Sequence, residues 1–207
     1  MDKIIEGVLN FQKNVFPSHQ ALFDELASQQ NPDVLFITCS DSRIDPNLVT
    51  QSKPGDLFIC RNAGNIVPPH SRATGGMTAS IEYAVAVLNV RHIIICGHTD
   101  CGAMKGVLNM EALENLPHVK EWLGHSRSAL EVVKAQTKST VVGLEQLQRV
   151  TEENVLQQLQ NLKTHPVVAA KLATGDLQLH GWMYEIESGE VCCSGDNREF
   201  NALSESR

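Results

Sequence analysis

Val34-Leu35-Phe36-Ile37-Thr38-Cys39-Ser40-Asp41-Ser42-Arg43 is a short apolar run that stops at a cysteine and passes into a polar turn. Farther along, His92-Ile93-Ile94-Ile95-Cys96-Gly97-His98-Thr99-Asp100-Cys101-Gly102 repeats the arrangement. Short β-branched runs bounded by turn residues read as buried strands of a parallel sheet. Cys39, His98 and Cys101 then stand just past the carboxyl ends of two strands, where open α/β sheets build their sites. Two thiolates and one imidazole suit a borderline-soft cation such as Zn²⁺. Structural zinc sites close with four protein ligands, whereas catalytic ones keep a position open. The spacing predicts a catalytic zinc centre on Cys39, His98 and Cys101. The other cysteines, Cys60, Cys96, Cys192 and Cys193, have no partner at ligand spacing and read as small buried hydrophobes.

Strands and helices alternate outward from this core. Pro54-Gly55 turns the chain into a strand from Leu57 to Cys60, a helix covers Met77 to Leu88, and a third strand runs from His92 to Cys96. Asp45-Pro46 opens a short helix, with proline in the first-turn position that suits it. Later segments predict a helix around Val119–Lys134, another opened by Ser139-Thr140 and running through Leu162, and a short one after His165-Pro166. A strand pair, Leu177–Ile186 and Val191–Cys193, is joined at Ser188-Gly189. The first 30 or so residues read as two amphipathic helices, with Ile4, Ile5, Val8, Leu9 and then Leu22, Leu26 at helical spacing. Pro17 separates them and Ser18 is placed to cap the second. No repeat or long linker divides the chain. The expectation is a single α/β domain, 1–207, with a mostly parallel central sheet flanked by helices. Residues 1–30 form its helical arm, packed on a partner subunit.

The chain has 207 residues, a formal net charge of −7, 42% hydrophobic and 20% charged residues, ordinary values for a soluble globular domain. Nucleic-acid binding needs a basic stripe, and none is present. No basic patch with interleaved aromatics suggests a membrane surface, and no apolar run reaches the ~18 residues of a membrane span. Met1-Asp2-Lys3-Ile4-Ile5-Glu6 mixes acids into its apolar stretch and does not read as a signal peptide. Six cysteines in such a chain read as reduced thiols or metal ligands. The expected location is the cytoplasm.

Asp41 and Arg43, two apart in a turn, are by themselves a surface ion pair of little worth. Beside a metal, Arg43 can hold Asp41 in bidentate geometry and keep it ionised, so that the carboxylate accepts a hydrogen bond from the reacting water.

In order, Cys39-Ser40-Asp41-Ser42-Arg43, Pro54-Gly55-Asp56-Leu57-Phe58, Arg61-Asn62-Ala63-Gly64-Asn65, Ser80-Ile81-Glu82-Tyr83-Ala84-Val85, Gly97-His98-Thr99-Asp100-Cys101-Gly102 and His180-Gly181-Trp182-Met183-Tyr184 resemble the β-class carbonic anhydrases. The resemblance runs from about Gln30 to the chain end. It implies reversible, zinc-dependent hydration of carbon dioxide to bicarbonate, in a homodimer or homotetramer, with the Asp41–Arg43 dyad orienting the water. In some members that aspartate swings onto the zinc and closes it. By the same resemblance Gln30, Phe58 and Tyr83 line the substrate site, and the backbone N–H of Gly102 meets a bicarbonate oxygen; Phe58 and Tyr83 also read as core aromatics. In the bicarbonate-inhibited subset a tryptophan and a glycine help form an anion pocket where this chain has Phe36 and Thr38, although Arg61 and Tyr184 match the rest. The implied state is therefore an open zinc without cooperative bicarbonate inhibition. Two other readings stand beside this one: a hydrolase of carbon disulfide or carbonyl sulfide on the same scaffold, and a non-catalytic zinc-stabilised binding scaffold.

Overall fold

A computed structural model describes residues 1–71, 75–137 and 142–203. The chain divides into two compact units, Met1–Asn31 and a larger one beginning at Pro32. In the first, helix α1 (Asp2–Asn10) runs through a π turn (Phe11–Val15) into α2 (Phe16–Ser18) and α3 (Gln20–Leu26). Pro17 does not separate two helices as the sequence predicts. It sits in the first turn of α2, where its missing N–H leaves no bond unmade. Ser18 is not the expected cap either: its hydroxyl donates back to the Val15 carbonyl at 2.6 Å. Phe16 and Phe23 stack at 5.0 Å between ring centroids, with Phe11 edge-on to both. Ile4, Ile5, Val8 and Leu9 form an exposed apolar stripe on α1, each at least half exposed.

The larger unit runs β1 (Val34–Cys39), α4 (Pro46–Thr50), β2 (Leu57–Asn62), α5 (Gly76–Glu82), β3 (His92–His98), α6 (Gly102–Leu108), α7 (Pro117–Leu123), α8 (Arg127–Thr137), α9 (Leu144–Lys163), α10 (Pro166–Thr174), β4 (Gln178–Tyr184), β5 (Val191–Ser194) and β6 (Phe200–Ala202). The sheet order is β2-β1-β3-β4-β5-β6. The first four strands are parallel, and β5 and β6 add antiparallel. The predicted α/β class and mostly parallel sheet are therefore borne out. From β1 the chain crosses to one side for β2 and to the other for β3, so the crevice between the carboxyl ends of β1 and β3 is a topological switch point.

Leu35, Ile37, Ile93 and Ile95 are fully buried against Ile81, Val85, Val155 and Leu162, each side chain contributing about 1.5–3 kcal/mol by leaving water. The helix α9 lies so close to the sheet that a Cβ on Gly97 would come within 2.7 Å of Val155 Cγ2 and 2.8 Å of Met183 Sδ. Only glycine fits there.

Three details depart from the sequence pattern. The helix predicted around Val119–Lys134 breaks into α7 and α8 at a 3₁₀ turn, Gly124–Ser126, because glycine weakens a helix interior. The helix start at Ser139-Thr140 falls outside the described residues; α9 is seen from Leu144. The strand β6 was not anticipated, since three residues carry no alternation. It pairs with β5, and Arg198 at the preceding turn grips both carboxylate oxygens of Glu153 on α9, at 2.7 and 2.9 Å.

On the other sheet face Phe36, Ile94 and Cys96 are buried with Trp182, and Nδ1 of His92 lies 3.1 Å from Nε2 of His180. Burial, with the charge of His92 second, lowers the pKa of His180 below 6.5. Above that pH both folded and unfolded chains hold it neutral. Below it the unfolded chain takes up the proton first, so stability falls until the folded pKa is passed. The thermal midpoint is expected to drop as the pH falls below about 6.5, and His180→Gln to flatten that drop. Parallel pH curves for the two proteins would assign the acid sensitivity to other groups.

Candidate metal centre

Cys39 is the last residue of β1 and His98 the last of β3, on neighbouring parallel strands. The chain then turns at Asp100, in the left-handed region at φ 58°, a conformation aspartate tolerates. That turn places Cys101 at the N-cap of α6. One ligand atom from each of Cys39, His98 and Cys101 lies within 4.8 Å of the others, and all three residues are buried.

His98 provides the test of whether a cation fits. Its Nδ1 lies 2.9 Å from the Thr99 carbonyl oxygen, which can only accept, so Nδ1 carries the proton. Nε2 is then a bare lone pair, buried and without any hydrogen-bond partner. An orphaned acceptor facing two sulfurs is what a metal ligand looks like without its ion. The sulfurs are prepared as well. The thiol of Cys39 is held well below its usual range, first by a hydrogen bond from the Cys101 thiol and further by the backbone N–H groups of Gly64 and Asp41. The thiol of Cys101 is pushed up, first because its proton is held in a hydrogen bond to Cys39, then by burial and by the charge of Cys39 beside it. A divalent cation relieves that like-charge conflict by holding both as thiolates. By contrast burial alone pushes Cys96 up to about 12, which leaves it an inert thiol.

Arg43 donates to Asp41 three times: backbone N to Oδ1 at 3.0 Å, Nε to Oδ1 at 2.9 Å and Nη2 to Oδ2 at 2.8 Å. These bonds hold the Asp41 carboxyl well below the usual carboxylate range. The other edge of Arg43 reaches Asp100, Nη1 to Oδ2 at 3.1 Å and Nη2 to the carbonyl at 3.2 Å, and Lys105 pairs with Asp100. The dyad is thus tied to the loop that carries His98 and Cys101. Oδ2 of Asp41 stands 3.9 Å from His98 Nε2, beside the ligand cluster yet engaged by arginine.

Arg61, read in the sequence only as part of a possible anion pocket, donates Nε to the Cys39 carbonyl at 3.0 Å and Nη2 to the Asp41 carbonyl at 2.7 Å. It clamps the turn that presents Cys39 and Asp41; its place on β2, paired with Thr38 of β1, gives it that reach. Next to the cluster opens a recess of about 320 Å³, lined by Cys39, Asp41, Gly102 and the apolar Ala103, Leu113, Val119 and Leu123 among others. Gly102 is therefore at the site. Phe58 and Tyr83 pack on each other, ring centroids 6.0 Å apart, and neither lines this recess. Gln30 belongs to the N-terminal unit, in the exposed segment after α3.

Three candidate metal ligands beside an open recess at the switch point of a parallel sheet, next to an arginine-held carboxylate, mark the site of a candidate mononuclear metalloenzyme of α/β fold. The family model for carbonic anhydrase matches residues 34–191. A carbonic anhydrase of Synechococcus elongatus is 51% identical over 192 residues, covering 92% of this chain and 70% of the relative. Among solved structures, the β-carbonic anhydrase CcaA superposes with a TM-score of 0.95 at 46% identity, covering 98% of this chain and 99% of that one. A tetrameric β-carbonic anhydrase from Sordaria macrospora gives 0.75 at 29%, covering 98% and 95%. The chain belongs to the β-carbonic anhydrase family, as its motifs had suggested. Members of that family are zinc enzymes, and the Cys39, His98 and Cys101 donor set fits that ion.

Proposed function

We propose that this chain is a carbonate dehydratase, hydrating carbon dioxide reversibly to bicarbonate and a proton, with Cys39, His98 and Cys101 holding one Zn²⁺. The observation that carries the reading is the bare, buried Nε2 of His98 facing two sulfurs, with an arginine-held carboxylate alongside. Bound zinc supplies a Lewis acid that makes water a usable nucleophile near neutral pH. The chain's own residues do the rest. Oδ1 of Asp41 is taken up by two Arg43 donors, whereas Oδ2 receives one and keeps a lone pair for the reacting water. Arg43 keeps that carboxylate ionised, so it can orient the water by accepting its hydrogen. The apolar wall of Leu113, Val119 and Leu123 suits carbon dioxide, and the Gly102 N–H suits an oxygen of the bicarbonate formed. Bicarbonate leaves through the open side of the recess, and the proton passes to buffer.

Gln30, Phe58 and Tyr83 keep their substrate-side assignment on the strength of the family resemblance. Since Phe58 and Tyr83 do not line the recess of their own chain, we assign them that role in an assembled oligomer. A homodimer or homotetramer is supported by the exposed stripe of α1, which needs a partner surface, and by the tetrameric relative. We treat 1–207 as one domain with 1–30 as an arm, since the larger unit holds every metal-cluster residue. Cytoplasmic residence is supported by the Cys60 and Cys96 thiols, which form no disulfide; among the described residues no helix is long and apolar enough to cross a membrane.

Stopped-flow carbon dioxide hydration on protein of measured zinc content tests the activity. A zinc-loaded chain that gives no rate above buffer would overturn it, and turnover of carbonyl sulfide or carbon disulfide instead would move the substrate. The same assay reads regulation. Phe36 is buried edge-on to Trp182 at 6.0 Å, and the Thr38 hydroxyl crosses to the Cys96 carbonyl at 2.9 Å. With Arg61 engaged on two backbone carbonyls, little is left there to hold an anion. Activity is expected to fall with rising bicarbonate as simple product inhibition; a sigmoidal loss, or a crystal structure near neutral pH with Asp41 on the zinc, would contradict this.

A further inference from the structure

The buried face of α9 carries three amides, Asn154, Gln158 and Asn161, none more than 7% exposed. Their spacing puts them on one side of the helix, the side on which leucine and valine would be expected. They form a ladder. Asn161 Nδ2 donates to Gln158 Oε1 at 3.0 Å, Gln158 Nε2 donates to Asn154 Oδ1 at 2.8 Å, and Asn154 Nδ2 donates to the Gly64 carbonyl at 3.0 Å. The same ladder takes both backbone groups of Val67: its N–H donates to Gln158 Oε1 at 2.9 Å, and its carbonyl accepts from Asn161 Nδ2 at 2.8 Å. A fully satisfied buried network of this kind rigidifies what it touches. What it touches is the loop after β2.

That loop ends on the metal centre. The N–H of Gly64 donates to Sγ of Cys39 at 3.3 Å. Gly64 sits at φ 83°, a conformation that L side chains rarely adopt, and a Cβ there would meet Met104 Cε at 2.9 Å and have to push it aside. One peptide residue is therefore held at both ends, its carbonyl by Asn154 and its amide on a metal-ligating sulfur. A hydrogen bond to a thiolate withdraws negative charge from it and fixes its direction, both of which change how it binds a cation.

We propose that Asn154 is a positioning residue of the metal centre: acting through Gly64, and held in turn by Gln158 and Asn161, it fixes the hydrogen-bond donor on the sulfur of Cys39. This rests on the reading of Cys39 as a zinc ligand, and it is separable from the reaction, because metal binding can be measured without turnover. Asn154→Ala removes the donor to Gly64 without touching any ligand. Outer partners of metal ligands, when removed, typically cost ~10–100-fold in metal affinity. The variant is expected to lose zinc that much more readily in chelator competition, and to shift the sulfur-to-metal charge-transfer band of the cobalt-substituted protein. Asn154→Ser, whose hydroxyl keeps a donor on that side, is expected to fall between alanine and the native protein. It also stands in if the alanine variant does not fold. A purely structural role would lower the melting temperature and leave affinity and band unchanged in the folded protein, and that result would overturn the proposal. The native protein loaded with cadmium-113 adds a measurement that needs no variant. The Gly64 amide is expected to show scalar coupling to the metal through the Cys39 sulfur, and its absence would overturn the proposal outright. Zinc bound normally without carbon dioxide hydration would count against the activity, not against Asn154.

Discussion

Cys39→Ser is expected to cost the chain most of its zinc and nearly all of its carbon dioxide hydration together. Serine keeps the size of the side chain but offers a hard oxygen whose proton does not leave at neutral pH, whereas a zinc ligand must be deprotonated. Two donors, His98 and Cys101, would remain, and two do not hold zinc in a catalytic site. Loss of a ligand itself should exceed the ~10–100-fold change that follows loss of a ligand's hydrogen-bonding partner. The Gly64 N–H also loses its sulfur acceptor. The fold should survive, since the layers built on Leu35, Ile37, Ile93 and Ile95 and on Phe36 and Ile94 do not involve this thiol, and in the apolar cluster around Met104 and Leu123, to which Cys39 belongs, serine nearly keeps its size. Zinc per chain by elemental analysis, circular dichroism and the hydration rate measured on one sample decide the matter. Full zinc and full rate would remove Cys39 from the site.

Asp41→Asn is expected to separate chemistry from folding: kcat/KM falls by ~10²–10⁴, the range for losing an acid–base group, while zinc stays bound. The amide is nearly isosteric and can still turn its oxygen to Arg43. It then presents an NH₂ where Oδ2 had a lone pair, so the water meets a donor in place of an acceptor. Arg43 keeps Asp100 as a partner, and the asparagine oxygen can keep the two Arg43 donors that Oδ1 now accepts. The melting temperature should barely move. Native turnover in a zinc-loaded Asp41→Asn protein would exclude the carboxylate from the mechanism.

The candidate metal ligands were legible because each half of the site is local. A cysteine or histidine at the end of an apolar run needs only the period of a strand to be placed. Asp41 and Arg43, two residues apart in one turn, needed only the reach of a guanidinium. Arg61 was visible as a residue but not as a clamp, because its partners are carbonyls across a strand pair and carbonyls leave no mark in the sequence. The amide ladder of α9 did leave one: Asn154, Gln158 and Asn161 interrupt the buried face of an otherwise amphipathic helix. A pattern of buried polarity says that partners exist, though not that they are the carbonyl of Gly64 and the peptide groups of Val67.

The sequence by itself determined the α/β class, the strand that ends at Cys39, a second that it ended at Cys96, two residues short of His98, and the donor chemistry that meets there. These follow from side-chain period, turn residues and ligand type, all short-range properties. Only the tertiary structure decided that β1 and β3 are neighbours with a switch point between them, that Nε2 of His98 is left bare, and that Phe58 and Tyr83 pack away from the recess of their own chain. It also decided where a three-residue strand adds to the sheet edge, since the pairing of Phe200–Ala202 is settled by packing rather than propensity. The reason is physical: hydrogen bonds such as Asn154 to Gly64 join residues 90 positions apart, and their partners are chosen by how layers stack.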